Sequence, residues 1–131
     1  MHVLQSRVLL RPANFARAVE FYESRLGLVR YREWGHPPGR GVVYFLGGGF
    51  LELTETPPDA PPAPRPGGFR LWLQVADVAV ARDELVTAGV SIAQEPERKP
   101  WGLVEMTVHD PDGAELVIIE TPLDHPLRRR E

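Results

Sequence analysis

Short runs of alternating apolar and polar residues, separated by stretches in which apolar residues recur every three or four positions, organise this chain. Arg7-Val8-Leu9-Leu10-Arg11 is brief, rich in branched apolar residues and followed by Pro12, which predicts a strand that ends there. Asn14 follows as a helix cap. Beyond it Phe15, Ala18, Val19, Tyr22 and Leu26 fall on one side of a helix, Arg17, Glu20 and Glu23 point away, and Gly27 supplies the stop. Leu28 to Trp34 and Val42 to Leu46 predict two more strands. A Gly47-Gly48-Gly49 turn then leads into a fourth, Phe50 to Thr54.

The same order returns about 63 residues later, a period that marks an internal repeat. Arg70 to Val75 predicts a strand, Asp77 a cap, Val78, Ala81, Leu85 and Ala88 a helix stripe, and Gly89 its stop. Val90 to Glu95, Leu103 to His109 and Ala114 to Glu120 complete three strands. Asp110-Pro111-Asp112-Gly113 joins the last two, with residue types that suit a tight turn. The fold class is therefore α+β, with two tandem strand–helix–strand–strand–strand (βαβββ) units in a single domain over residues 1–131. Unit one covers 6–56 and unit two 69–121, followed by a tail at 122–131. Between them residues 57–68 hold so many prolines that neither helix nor central strand can form, which predicts a stiff linker. Leu127 to Glu131 reads as a solvated end.

Composition narrows the function. With 131 residues the chain can bury one sizeable core, and 43% hydrophobic with 25% charged residues matches an ordinary globular protein. A net charge of -3 leaves no broad cationic face for nucleic acid. The longest apolar stretches, Val42 to Leu46 and Leu116 to Ile119, are too short to cross a bilayer, so no membrane partner is expected. The absence of cysteine removes disulfides and thiolate metal sites. The N-terminus lacks the order of a secretion signal, so a cytoplasmic location is the expectation.

The repeat, the Phe21-Tyr22 pair near Leu26-Gly27-Leu28, and Asp110-Pro111-Asp112-Gly113 in the last hairpin together resemble the vicinal oxygen chelate superfamily. That group includes glyoxalase I, extradiol dioxygenases, fosfomycin-resistance enzymes and bleomycin-resistance proteins. The resemblance spans Ser6 to Thr121. It implies curved mixed sheets around a cleft, helices on the outer faces and a homodimer. In metal-using members it also implies ligands from the first and last strands of each unit, and those positions here hold Arg7, Glu52, Arg70 and Val117. Only Glu52 could bind a metal, because guanidinium has no lone pair to give and valine has no donor. No metal and no cofactor is therefore expected.

Alternation along the strands sets Arg7, Phe50, Glu52, Arg70, Trp72 and Gln74 on the faces opposite their aliphatic neighbours. We expect these residues to line the cleft, with Glu52 between Arg7 and Arg70. An ion-pair cluster that merely neutralises the cleft is the competing reading. Trp34 and Trp101 join the candidates as stacking platforms, and Trp101-Gly102 resembles the equivalent segment of bleomycin-resistance proteins. His36 and His109 match no zinc spacing, and no nucleophile elbow is present. The expectation is metal-independent binding of a small or medium organic ligand, an aromatic natural product or antibiotic, with no catalytic residue assigned. The alternatives are a metal-dependent glyoxalase- or dioxygenase-type lyase or oxidoreductase with other ligands, and a metal-free enzyme using Glu52 as a base.

Overall fold

A computed structural model describes residues 1–60 and 70–126. The chain forms two compact units, Met1–Arg65 and Pro66–Glu131. Most of the proline-rich stretch and the arginine-bearing end lie outside the described residues.

Unit one runs β1 (Arg7–Leu10), α1 (Phe15–Val19), a wider π-helical continuation (Glu20–Arg25), β2 (Arg30–Trp34), β3 (Gly41–Leu46) and β4 (Gly49–Thr54). Its sheet has the order β1-β4-β3-β2, with β1 parallel to β4 and the other pairs antiparallel. Val8, Leu10, Leu51, Leu53, Val42 and Tyr44 share one face by register, and all but the first two are almost fully buried. Asn14 caps α1 through its side chain, which accepts from the Arg17 amide at 3.0 Å. The π-helical turn departs from the expected regular helix. The Leu26 amide reaches back five residues to the Phe21 carbonyl at 2.9 Å, and the extra residue per turn lets consecutive Phe21 and Tyr22 both reach the core. Their rings meet edge to face at 5.0 Å. Burial first, then the Glu23 carboxylate, pushes the Tyr44 phenol up to about 12.

The open end of the β3–β4 hairpin is tied by a two-pronged ion pair. Arg40 donates to Glu55 at 2.9 and 2.7 Å and lies 4.9 Å over the Phe15 ring, which fastens the helix start to the same corner. Hydrogen bonds from Arg40 hold the Glu55 carboxyl down to about 2. A folded-state value below the ordinary one means that the pair stabilises the fold fully above about pH 4.5 and loses that contribution as pH falls toward 2. Melting temperature followed by circular dichroism from pH 5 to 2 is expected to fall less steeply in Glu55→Gln than in the wild type. Parallel curves would show that the pair is not formed.

Unit two repeats the plan with β5 (Arg70–Gln74), α2 (Val78–Thr87), β6 (Gln94–Arg98), β7 (Val104–His109) and β8 (Glu115–Glu120), in the order β5-β8-β7-β6. Asp77 caps α2 by accepting from the Ala79 and Val80 amides, while Glu120 at the end of β8 accepts from the Val78 amide at 2.9 Å. Leu71, Leu116, Ile118, Met106 and Val108 make the buried side of the sheet. Asp110 builds the last turn, accepting from the Asp112 and Ala114 amides at 2.9 and 2.8 Å, and Gly113 takes the φ of +85° that the turn demands. The expected strand at Val90 to Glu95 is displaced. Val90 bonds back to Leu85 and belongs to the helix end, so β6 starts at Gln94, with Pro96 seated where the register shifts and no amide is required. No helix among the described residues is long and apolar enough to cross a membrane.

Candidate functional site

The face of the first sheet that turns away from α1 can be laid out row by row from the strand register. The first row is Arg7, Phe50, Phe45 and Tyr31; the second is Leu9, Glu52, Val43 and Arg32; the third is Thr54, Gly41 and Trp34. A bulge in β2 between Arg30 and Arg32 produces this arrangement, because the extra residue lets consecutive Tyr31 and Arg32 serve the same face. Arg30 is turned to the other side, where Glu23 and Glu33 hold it.

Three rings form a cluster in the first row. Tyr31 lies 5.1 Å from both Phe45 and Phe50, and those two are 5.6 Å apart. Tyr31 and Phe45 remain 47% and 46% exposed, so the cluster presents a broad aromatic surface to solvent. Arg7 sits at its edge, 5.7 Å over Phe50, and bridges Glu52 at 3.0 Å while its Nε donates to Gln5. At the opposite corner the Arg32 guanidinium stacks 5.3 Å over Trp34. The indole rests directly on Gly41, since a Cβ there would fall 2.2 Å from its ring carbons. Of the expected site residues, Arg7, Trp34, Phe50 and Glu52 therefore share one face.

The corresponding face of unit two is chemically different. Arg70 pairs with Glu115 at 3.2 Å, Trp72 is 52% exposed beside buried Val117, and half-buried Gln74 adjoins Ile119. Trp101, also exposed, donates its indole N–H to Glu105 at 2.6 Å, and its carbonyl lies 3.2 Å from the His125 imidazole. Glu105, Ile119 and Gln74 form one row, so Trp101 reaches the same face as Gln74. Arg7 and Arg70 both pair with carboxylates, each within its own unit. Arg7 takes Glu52 from the second residue along β4, whereas Arg70 takes the residue directly beside it on β8.

A family model described as Glyoxalase/Bleomycin resistance protein/Dioxygenase superfamily matches residues 4–118. The chain belongs to this superfamily. Solved structures agree on the fold. A glyoxalase/bleomycin resistance protein from Catenulispora acidiphila is 26% identical with a TM-score of 0.67, covering 92% of this chain and 100% of its own. TioX from Micromonospora sp. ML1 is 23% identical with a TM-score of 0.72, over 90% of this chain and 98% of its own. A superfamily member from Sphaerobacter thermophilus is 22% identical with a TM-score of 0.68, over 91% and 98%. No curated protein sequence matches the chain.

A hard divalent ion needs oxygen or imidazole donors, and of the four positions that the resemblance marks as ligands three carry none. Of the two such positions in unit one, Arg7 has no donor and Glu52 is bridged by the Arg7 guanidinium. In unit two Arg70 and the 7% exposed Val117 stand at the equivalent positions. Among the described residues no three His, Asp or Glu side chains gather as metal ligands would.

Sequence reasoning missed Tyr31, Arg32 and Phe45. Phe45 was accessible in principle, because a two-residue Gly47-Gly48 turn pairs Leu46 with Gly49 and hence Phe45 with Phe50. Tyr31 and Arg32 were not, because the bulge breaks the alternation that assigns faces.

Proposed function

We propose that this protein binds a small or medium organic ligand without a metal, an aromatic natural product or antibiotic being the leading case, and that it sequesters the ligand rather than transforming it. The observation that carries this reading is the half-exposed Tyr31–Phe45–Phe50 cluster, a stacking surface beside the Arg7–Glu52 pair. Aromatic faces supply large apolar contact with little side-chain entropy to lose, and the charged pair at the rim offers polar groups that fix orientation. Trp72 and Trp101 are further exposed platforms in unit two. A homodimer and a cytoplasmic site of action belong to the same reading.

Titration calorimetry against aromatic antibiotics and planar metabolites tests it. Phe45→Ala is expected to weaken a ligand found in this way ~30-fold, the loss of about 2 kcal/mol of ring contact. An unchanged affinity would remove the cluster from the site. Stoichiometric zinc, nickel, manganese or iron in protein purified without chelator would overturn the metal-independent reading.

A further inference from the structure

We infer that the ligand is an aromatic anion, a planar ring system bearing a carboxylate, sulfonate or phosphate, with its ring on Tyr31 and Phe45 and its acidic group on Arg32; this rests on the ligand-binding reading above. The charge inventory of the sheet face supplies the first reason. Three charged side chains occupy its first two rows, and Arg7 and Glu52 neutralise one another at 3.0 Å. Arg32 has no such counter-charge among the described residues, its contact being the Trp34 ring 5.3 Å away. Arg30, two residues earlier, is held by Glu23 and Glu33 on the other side of the sheet, so the local carboxylates are already committed there.

Preorganisation supplies the second reason. A free surface arginine loses much side-chain entropy on gripping an anion, and stacking on an indole removes part of that cost in advance. The indole is itself seated, since Gly41 is the backbone position that admits it. Gly41, Trp34 and Arg32 thus form a stack that holds a planar, two-donor fork in place. Such a fork matches the oxygens of a carboxylate or phosphate.

Spacing supplies the third. Arg32 stands opposite Val43, two residues from Phe45 along β3, and positions two apart on a strand are about 6.6 Å from each other. A bicyclic aromatic acid spans about that length, so its ring and its acid meet the cluster and the fork together. A cationic ligand would meet Arg32 as a like charge, while Glu52, the one carboxylate among the described residues of these rows, is already bridged.

Calorimetry of the full chain with 2-naphthoate, 2-naphthamide and 2-naphthylmethylammonium tests the inference, for the wild type and for Arg32→Gln, an exposed substitution outside the core. The wild type is expected to hold the carboxylate about tenfold more tightly than the amide at low salt, with the difference shrinking as salt is raised. Arg32→Gln is expected to bind carboxylate and amide equally. Equal binding of the two by the wild type, tighter binding of the ammonium, or a preference that survives in Arg32→Gln would overturn the anion inference alone. Failure of all three compounds to bind would overturn the ligand reading beneath it. Should Phe45→Asp then turn a dimer into monomers in sedimentation, the face would be an interface between copies of the chain.

Discussion

Truncating Leu51 to alanine is expected to destabilise the fold by about 2–5 kcal/mol, whereas Phe50→Ala, one position earlier, is expected to cost far less stability and to abolish most ligand binding. Leu51 is fully buried on the helix side of β4, flanked in register by Val8 and Tyr44, so removing three carbons leaves a cavity that two neighbouring strands cannot close. Phe50 points the other way, into the ring cluster under Arg7. Successive strand residues face opposite sides, which is why adjacent substitutions should separate stability from recognition. Urea unfolding with calorimetry on both variants decides the matter. Comparable loss of stability in the two would mean that the ring cluster belongs to the core.

Gly41→Ala is the second large effect, and it arises from a single methyl group. A Cβ at this position would lie 2.2 Å from two ring carbons of Trp34, and the rigid indole must move as a whole to relieve the overlap. Overpacking of this kind costs about 1–3 kcal/mol, against which the lower chain entropy of alanine in the unfolded state returns only about 0.4–1 kcal/mol. The net change is expected to lower the melting temperature, to shift tryptophan emission as Trp34 swings out, and to remove the preference for an anionic ligand because Arg32 loses its support. Unchanged emission and melting temperature would show that the indole does not rest on the strand.

The elements were legible where one local rule acted alone. Asn14 and Asp77 cap their helices through side-chain oxygens as their types require, and Asp110 folds its own turn with Gly113 at positive φ. Departures came where neighbouring strands imposed a condition. Phe21 and Tyr22 are both buried because the sheet accepts two successive rings, and the helix widens to deliver them. β6 starts later than its apolar residues suggest because Val90 closes the preceding helix.

The site divides in the same way. Alternation placed Arg7, Phe50 and Glu52 on one face, and the register confirms that arrangement within unit one. Arg70 followed the same alternation, and within unit two its carboxylate is Glu115, the residue beside it on β8.

Local periodicity and side-chain chemistry were enough to read the repeat, the kinds of elements and the superfamily from the residues alone. That Tyr31 and Arg32 join Phe45 on one face, and that an indole fills the gap above Gly41, became visible only in the folded chain. Both depend on how strands register against one another, where one bulged residue redirects the side chains beyond it.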